Sequence, residues 1–119
     1  EQKELNKSNQ KIEFPLHASD GARVISGIID QISASANQVG IYHYCGSEAV
    51  SGYDFSEAVL SSLLKFKFTK SGITLRPAED NEALNFSLDC GKIHNSFGIR
   101  QMPWQQSLSE AVKNYYSER

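Results

Sequence analysis

Apolar residues recur at helical spacing in the first third of the chain. From a start at Ser19, with Ser19 or Asp20 as the N-cap, one helical face carries Val24, Ile25, Ile28, Ile29 and Ile32. A face this wide and apolar needs a partner, so we expect another part of the fold to cover it. Residues 1–8 are polar, and we expect them to be frayed.

The next segment, residues 39–45, is rich in β-branched and aromatic side chains. This composition predicts a strand. The alternation of apolar and polar positions is only partial, which predicts burial on both faces of the strand.

A second helix is predicted from about Tyr53 to about Lys65. Ser51 and Asp54 have the spacing of a capping box, in which the serine closes the helix start and the aspartate reaches back to it. The apolar side of this helix consists of Phe55, Val59, Leu60, Leu63 and Leu64. Residues 65–70 alternate lysine and aromatic rings, a pattern that fits either an extension of the helix or an edge strand guarded by lysines.

The last third of the chain predicts short elements in close succession. Residues 73–75 and 85–88 are strand candidates, separated by an acidic, irregular loop over residues 76–83. Asp89 can accept a hydrogen bond from the amides of the following helical turn, and Gly98 can take the left-handed conformation that ends it.

A final helix is predicted over about residues 104–116, directly after Pro103. Its inward face consists of Trp104, Leu108, Ala111, Val112 and Tyr115. Helices and strands thus interleave along the chain, which predicts an α/β or an α+β fold. We favour α/β, with a few short strands covered by three to four helices.

Composition narrows the class of protein. A chain of 119 residues fits one domain, and 12 basic against 14 acidic side chains give a net charge of −2 without a run of either sign. This balance argues against nucleic acid as a partner. Because no apolar run could cross a bilayer and the first residues lack a secretory signal, we expect a soluble, cytoplasmic protein with no membrane partner.

The side chains with catalytic or metal-binding potential are few. Cys45 and Cys90 have no CxxC spacing; two free buried thiols in a reducing compartment are the favoured interpretation, and a structural disulfide is the alternative. His17, His43 and His94 share no spacing typical of metal ligands, so no metal site is predicted.

Five short motifs, taken in order, resemble one enzyme family. They are GIYHYCGS at residues 40–47, YDF at 53–55, LDCGKI at 88–93, FGI at 97–99 and PW at 103–104. Together they resemble the C-terminal end of dTDP-4-dehydrorhamnose reductases, which belong to the extended short-chain dehydrogenase/reductase superfamily.

The resemblance extends upstream and divides the chain. Residues 10–22, with Pro15 and Asp20, resemble the segment with which the family's chain enters its substrate lobe. The resemblance implies that residues 9–119 form a substrate-binding C-terminal domain behind a frayed segment at 1–8. It also implies a parent enzyme that binds a sugar nucleotide and NAD(P)H, makes precursors of surface polysaccharide and has an N-terminal Rossmann domain.

Two parts of such a reductase have no counterpart in this sequence. A glycine-rich turn that would hold a dinucleotide pyrophosphate is absent, and no tyrosine is followed four residues later by a lysine. We therefore predict no catalytic residue and no cofactor in this chain alone. If residues 39–45 normally pair with strands of the missing half, their open edge is expected to pair with a second copy, giving a homodimer, or to be hidden by rearrangement.

The resemblance suggests four substrate-binding candidates: Asn85, Arg76, Pro15 and His17. Asn85 matches a family asparagine, but Glu82-Ala83 stand where the family has Arg-Pro. Arg76 could supply the lost diphosphate contact, or it is a solvated surface arginine.

The family's Gly-x-Pro-Thr appears here as Glu13-Phe14-Pro15-Leu16, in which Pro15 keeps the turn. His17 could face a substrate, although a surface or capping role is the favoured interpretation. Trp104, with Phe97 near it in sequence, could stack on a nucleobase, with core packing as the favoured alternative.

Two further functions remain open for this scaffold. One is a non-catalytic binding subunit similar to the regulatory subunit of methionine adenosyltransferase. The other is the C-terminal part of a sugar-nucleotide epimerase or dehydratase.

Overall fold

The computed structural model describes residues 3–35, 37–67, 72–78 and 83–117. In chain order the elements are strands β1 (Lys3–Ser8) and β2 (Ile12–Glu13), helix α1 (Ala18–Ser33), strand β3 (Val50–Ser51), helix α2 (Gly52–Lys65), strand β4 (Ile73–Ala78) and helices α3 (Gly91–Phe97) and α4 (Trp104–Ser117). Four helices with a few short strands confirm the predicted α/β class.

The strands form two small pairs instead of one continuous sheet. β1 and β4 are parallel, with Leu5 opposite Leu75, and β2 and β3 are antiparallel. The segment expected to be frayed is thus a strand over Lys3–Ser8, because β4, at a separation of 70 residues, supplies its backbone hydrogen bonds. Helix α2 contacts both strands of the parallel pair.

The helices follow the sequence prediction closely, with differences at their ends. α1 begins one residue before the predicted start, and its N-cap is His17, whereas Ser19 and Asp20 were expected in that role. The Oγ of Ser51 accepts from the amide of Asp54 across 3.0 Å, as the capping box predicted. The Oδ1 of Asp89 accepts from the amide of Gly91, although the N-cap position itself falls on Cys90. Gly98, at a φ of 67°, ends α3 as predicted.

Three predicted strands differ from the structure. Residues 39–45 contain no strand, and residues 85–88 contribute only an isolated parallel bridge between Asn85 and Ile12. β4 extends beyond the predicted 73–75 to Ala78, so residues 76–78, which were expected to lie in a loop, belong to the strand; residues 79–82 lie outside the described part. α2 ends at Lys65 and Lys67 has a φ of 59°, which breaks the helix; residues 68–70 lie outside the described part.

The buried core lies between α1, residues 42–45 and α3. It contains Val24, Cys45, Cys90, Ile93, Phe97 and Ile99, with Phe14, Ile28, Tyr42 and Tyr44 packed against them. In α4, Val112 is buried, but Tyr115 is 53% exposed, against the predicted inward position. The core therefore covers only part of each apolar face.

One apolar surface remains open to solvent. It consists of Ile25, Ile29 and Ile32 of α1 together with Val39 and Ile41, and we call it the α1–Val39 surface. Val39 is 94% exposed, so the prediction that residues 39–45 are buried on both faces is wrong. Within the described residues, no backbone amide or carbonyl of residues 39–45 bonds to another backbone group. A strand cannot form here because no neighbouring strand supplies those bonds.

The dimensions of the molecule agree with this incomplete covering. Its radius of gyration is 17.5 Å, whereas a compact domain of this length has about 13.5 Å. Its smallest extent is 16 Å, little more than one helix with its side chains, since a helix is about 10 Å wide. The chain has the shape of a slab with an uncovered apolar side.

Candidate functional site

An apolar pocket lies where the segment that precedes α1 meets α2 and α4. Its walls include Pro15, Leu16, His17, Phe55, Trp104 and Leu108, and its volume is about 160 Å³. An apolar cavity of about 150 Å³ can hold one benzene ring, so this pocket has the size for a single ring. We call it the Trp104 pocket. It brings together two of the four predicted substrate-binding residues, Pro15 and His17.

Trp104 forms one wall of this pocket and also packs against α2. Its ring meets Phe55 edge to face, with centroids 5.3 Å apart and an angle of 68° between the rings. The indole Nε1 is buried and has no hydrogen-bond partner in the described part of the chain. Packing against Phe55 therefore accounts for the position of the ring.

His17 acts as the N-cap of α1. Its Nδ1 accepts a hydrogen bond from the amide of Ser19 across 3.1 Å, and the same nitrogen lies 2.6 Å from the hydroxyl of Ser19. This satisfies one of the free amides at the start of the helix. The side chain is exposed, which agrees with the capping role favoured by the sequence.

The other two candidates lie on separate elements. Asn85 is exposed and uses its Oδ1 to accept from the amide of Ser87, which closes a local turn beside Ile12. Arg76 lies on β4, where its Nε is 3.1 Å from a carboxylate oxygen of Glu4 on β1. Both side chains of this ion pair are more than half exposed, so the pair adds little stability.

A second, polar cavity opens beside the start of α3. Its volume is about 400 Å³, and its walls include Ser47, Cys90, His94, Arg100 and Gln101. The side-chain Nε2 of Gln101 donates to the backbone carbonyl oxygens of Cys45 and Gly46, across 3.2 and 3.1 Å. These bonds hold Gln101 against residues 45–46. Burial raises the pKa of the Cys90 thiol.

A partly buried tyrosine network near this cavity was not anticipated from the sequence. Tyr44 donates to a carboxylate oxygen of Asp20, and Arg23 binds the other carboxylate oxygen. Burial, followed by the hydrogen bond to Asp20, raises the pKa of Tyr44 to about 12. The only signal in the sequence was the position of Asp20 at a helix start, which suggested a cap.

No group of three or more potential metal ligands occurs among residues 3–35, 37–67, 72–78 and 83–117. In the same ranges, no helix is long and apolar enough to cross a membrane. The notable chemistry of the described residues is therefore the ring-sized pocket, the polar cavity and the cysteine pair beside it.

The arrangement of elements is shared with solved reductases of the extended short-chain dehydrogenase type. A dTDP-4-dehydrorhamnose reductase from Clostridium acetobutylicum superposes with a TM-score of 0.76 and 18% identity, covering 97% of this chain and 40% of that one. A dTDP-glucose 4,6-dehydratase from Bacillus anthracis, in complex with NAD, superposes with a TM-score of 0.69 and 21% identity. The match covers 98% of this chain and 35% of the dehydratase. These likenesses establish the fold as the C-terminal portion of that class.

Sequence comparison identifies the family within this class. The model of the RmlD substrate binding domain matches residues 1–117. A dTDP-4-dehydrorhamnose reductase from Aggregatibacter actinomycetemcomitans is 33% identical over 102 residues, which is 79% of this chain and 35% of the relative. The chain belongs to the RmlD substrate binding domain family, and the resemblance drawn from its five motifs is confirmed.

The chain spans about a third of the length of this curated relative. A further structural neighbour, the dTDP-4-dehydrorhamnose reductase from Bacillus anthracis in complex with NADP, superposes with a TM-score of 0.58 and 17% identity. The superposition covers 99% of this chain and 39% of the Bacillus anthracis reductase. Most of each of these relatives therefore lies outside the matched region.

Proposed function

We propose that this chain supplies the sugar-nucleotide-binding part of an NAD(P)H-dependent reductase of the dTDP-4-dehydrorhamnose type. The observation that carries the proposal is the family match over residues 1–117. Hydride transfer needs a dinucleotide site and a proton donor, which the sequence lacks, so the chain alone is not catalytic. NAD(P)H binds to an N-terminal Rossmann domain in the complete enzyme, which acts in the cytoplasm on a precursor of surface polysaccharide.

The Trp104 pocket is the proposed contact with the sugar nucleotide. Its apolar walls and ring-sized volume suit either a deoxysugar or the thymine ring. Pro15 and His17 line it, and Asn85 is the proposed polar contact beyond it, because its amide nitrogen remains available when Oδ1 accepts from Ser87. Arg76 would bind the diphosphate only after it leaves Glu4.

The α1–Val39 surface is the proposed contact with the Rossmann domain. It combines an apolar helix face with a segment that has no backbone–backbone hydrogen bond within the described residues. Both would be covered by a sheet edge that offers hydrogen bonds and apolar side chains. A cavity of about 360 Å³ between Ile32, Val39 and Phe97 marks the gap that such a partner would fill. In the absence of this domain, a second copy of the chain is the proposed occupant.

A chimera tests the proposal. This chain would replace the matching third of the Aggregatibacter reductase, and oxidation of NADPH would be followed with dTDP-4-dehydro-L-rhamnose. We expect turnover by the chimera, none by the chain alone, and weak or undetectable binding of dTDP to the chain alone. Turnover or micromolar binding by the isolated chain would contradict the proposed division of the site.

A second candidate is a non-catalytic binding subunit on the same scaffold. Two observations favour it. Arg76 forms an ion pair with Glu4, and Glu82-Ala83 replace the family's Arg-Pro. Of these two replacing residues, Glu82 lies outside the described part of the chain. A folded chimera that binds NADPH but neither binds nor reduces the dTDP-sugar would support this candidate. The coding sequence upstream of Glu1 offers a second test, because a reductase requires a glycine-rich turn and a Tyr-x-x-x-Lys pair.

The C-terminal part of an epimerase or dehydratase is the third candidate, which the fold likeness to the Bacillus anthracis dehydratase keeps open. The same chimera addresses it: reduction of the 4-keto sugar favours the reductase.

A further inference from the structure

The two cysteines of the chain, 45 residues apart in sequence, meet in the core. Their Sγ atoms are 3.8 Å apart, and the side chains are only 6% and 7% exposed. Cys45 ends the segment at residues 39–45, which has no backbone–backbone hydrogen bond in the described part of the chain, and Cys90 lies directly before α3. A disulfide has an S–S distance of about 2.05 Å, so the sulfur atoms would have to approach by less than about 2 Å.

The surroundings of the pair differ on its two sides. The amide nitrogen of Gln101 lies 3.6 Å from the sulfur of Cys45, where it can donate a hydrogen bond to a thiolate. Cys90 contacts the carbonyl of Leu88 and forms part of the wall of the polar cavity. That cavity, at about 400 Å³, is many times larger than the space of about 30 Å³ that one water molecule occupies. A small polar oxidant can therefore approach Cys90 through this cavity, whereas Cys45 is not among the residues that form its walls.

We propose that Cys45 and Cys90 form a reversible intramolecular disulfide when the protein meets a hydroperoxide. The sulfur of Cys90 attacks one peroxide oxygen, the O–O bond breaks, and a sulfenic acid and one water form. The sulfur of Cys45 then attacks the sulfur of Cys90, the S–O bond breaks, and the hydroxyl leaves as a second water with the proton of Cys45. Two thiols and hydrogen peroxide thus give one disulfide and two waters, and a dithiol reductant reverses the change.

The bond would act on a segment that is held by side-chain hydrogen bonds, such as those from Lys92 to Ile41 and from Gln101 to Cys45. It joins the end of residues 39–45, which lack backbone partners in the described structure, to the start of α3. Oxidation thereby fixes one side of the α1–Val39 surface and changes the wall of the polar cavity. Because burial raises the pKa of Cys90, its thiolate is scarce at neutral pH and the reaction speeds up as pH rises.

The test treats the purified, reduced chain with hydrogen peroxide and maps its peptides without reduction. We expect the peptides of Cys45 and Cys90 to be linked, the intact mass to fall by two hydrogen atoms, and dithiothreitol to restore both. The oxidised chain should also melt higher, by at least about 5 °C, since the cross-link closes a long loop. Linkage should form faster at pH 9 than at pH 7.

Two matched variants and one folding measurement complete the design. In Cys45→Ala, Cys90 has no resolving thiol and should progress to sulfinic acid; in Cys90→Ala, Cys45 should oxidise much more slowly because it is not among the residues that form the cavity walls. Near-ultraviolet circular dichroism establishes that each sample is folded. The proposal is overturned if folded wild-type chain carries separately oxidised or unmodified cysteines after treatment, or if its disulfides join different molecules.

Discussion

The hydroxyl of Tyr44 donates a hydrogen bond to Asp20 across 2.6 Å and so joins the segment at residues 39–45 to the first turn of α1. Arg23 binds the same carboxylate and also donates to the backbone carbonyl of Arg100. The three side chains therefore link α1, residues 39–45 and the segment that precedes α4. This network supports a segment that has no strand partner among the described residues.

The tyrosine should make stability depend on pH in the alkaline range. The pKa of Tyr44 is raised in the folded chain to about 12 from 10.0, first by burial and then by Asp20. Folding therefore favours the protonated form, and the stabilisation is complete below pH 10 and lost as pH rises toward 12. We expect the unfolding midpoint in urea to fall more steeply over this range in wild type than in Tyr44→Phe.

The control for this measurement is Tyr53→Phe, on α2 and away from the network. It should retain the steep alkaline loss of the wild type. Equal pH profiles for wild type and Tyr44→Phe would contradict the assignment. At neutral pH, Tyr44→Phe should lower the free energy of unfolding by about 1.5–3 kcal/mol because it removes one hydrogen bond to a charged group.

Gly46 should tolerate no side chain. A Cβ at this position would lie 2.0 Å from the carbonyl oxygen of Pro15. The two backbone segments are also joined by a hydrogen bond from the amide of Gly46 to the carbonyl of Phe14. We expect Gly46→Ala to lower the free energy of unfolding by about 2–4 kcal/mol, measured by urea denaturation. The matched change is Gly27→Ala in α1, where nothing lies within 4 Å of a new Cβ. It should raise stability by about 0.5–1 kcal/mol.

The N-cap of α2 gives a third prediction. Ser51→Ala removes the acceptor of the Asp54 amide and should cost about 1 kcal/mol of unfolding free energy. Ser61→Ala, at an exposed position of the same helix, should change it by less than about 0.5 kcal/mol. Equal effects of the two changes in thermal or urea unfolding would show that the cap hydrogen bond adds nothing.

The α1–Val39 surface should cause the isolated chain to associate. Light scattering over a concentration series should show a rising average mass for wild type and a lower mass at each concentration for Ile29→Asp, which places a charge in the centre of the surface. Leu64→Asp is the control, because Leu64 is 50% exposed, close to the 56% of Ile29, but lies at the end of α2. A monomer at all concentrations, with the amides of residues 39–45 protected from hydrogen exchange, would count against pairing between copies.

The sequence was most informative where structure depends on neighbours along the chain. The cap at Ser51 and the stop at Gly98 use groups within four residues of one another, so their spacing alone predicted them. The family was identifiable for a similar reason, because its motifs are short and local. Pro15 and His17 were close in sequence, and the structure places both in the Trp104 pocket. Their contact with a substrate stays a prediction.

Tertiary structure decided what depends on distant partners. Residues 39–45 have the composition of a strand, yet a strand exists only when a second backbone completes its hydrogen bonds, and the described structure provides none. Conversely, the polar residues 3–8 form a strand because β4 lies beside them. Arg76 meets Glu4, and Cys45 meets Cys90, through folding alone. Local propensity and side-chain pattern are written in the sequence, whereas the pairing of remote groups is fixed only when packing brings them into contact.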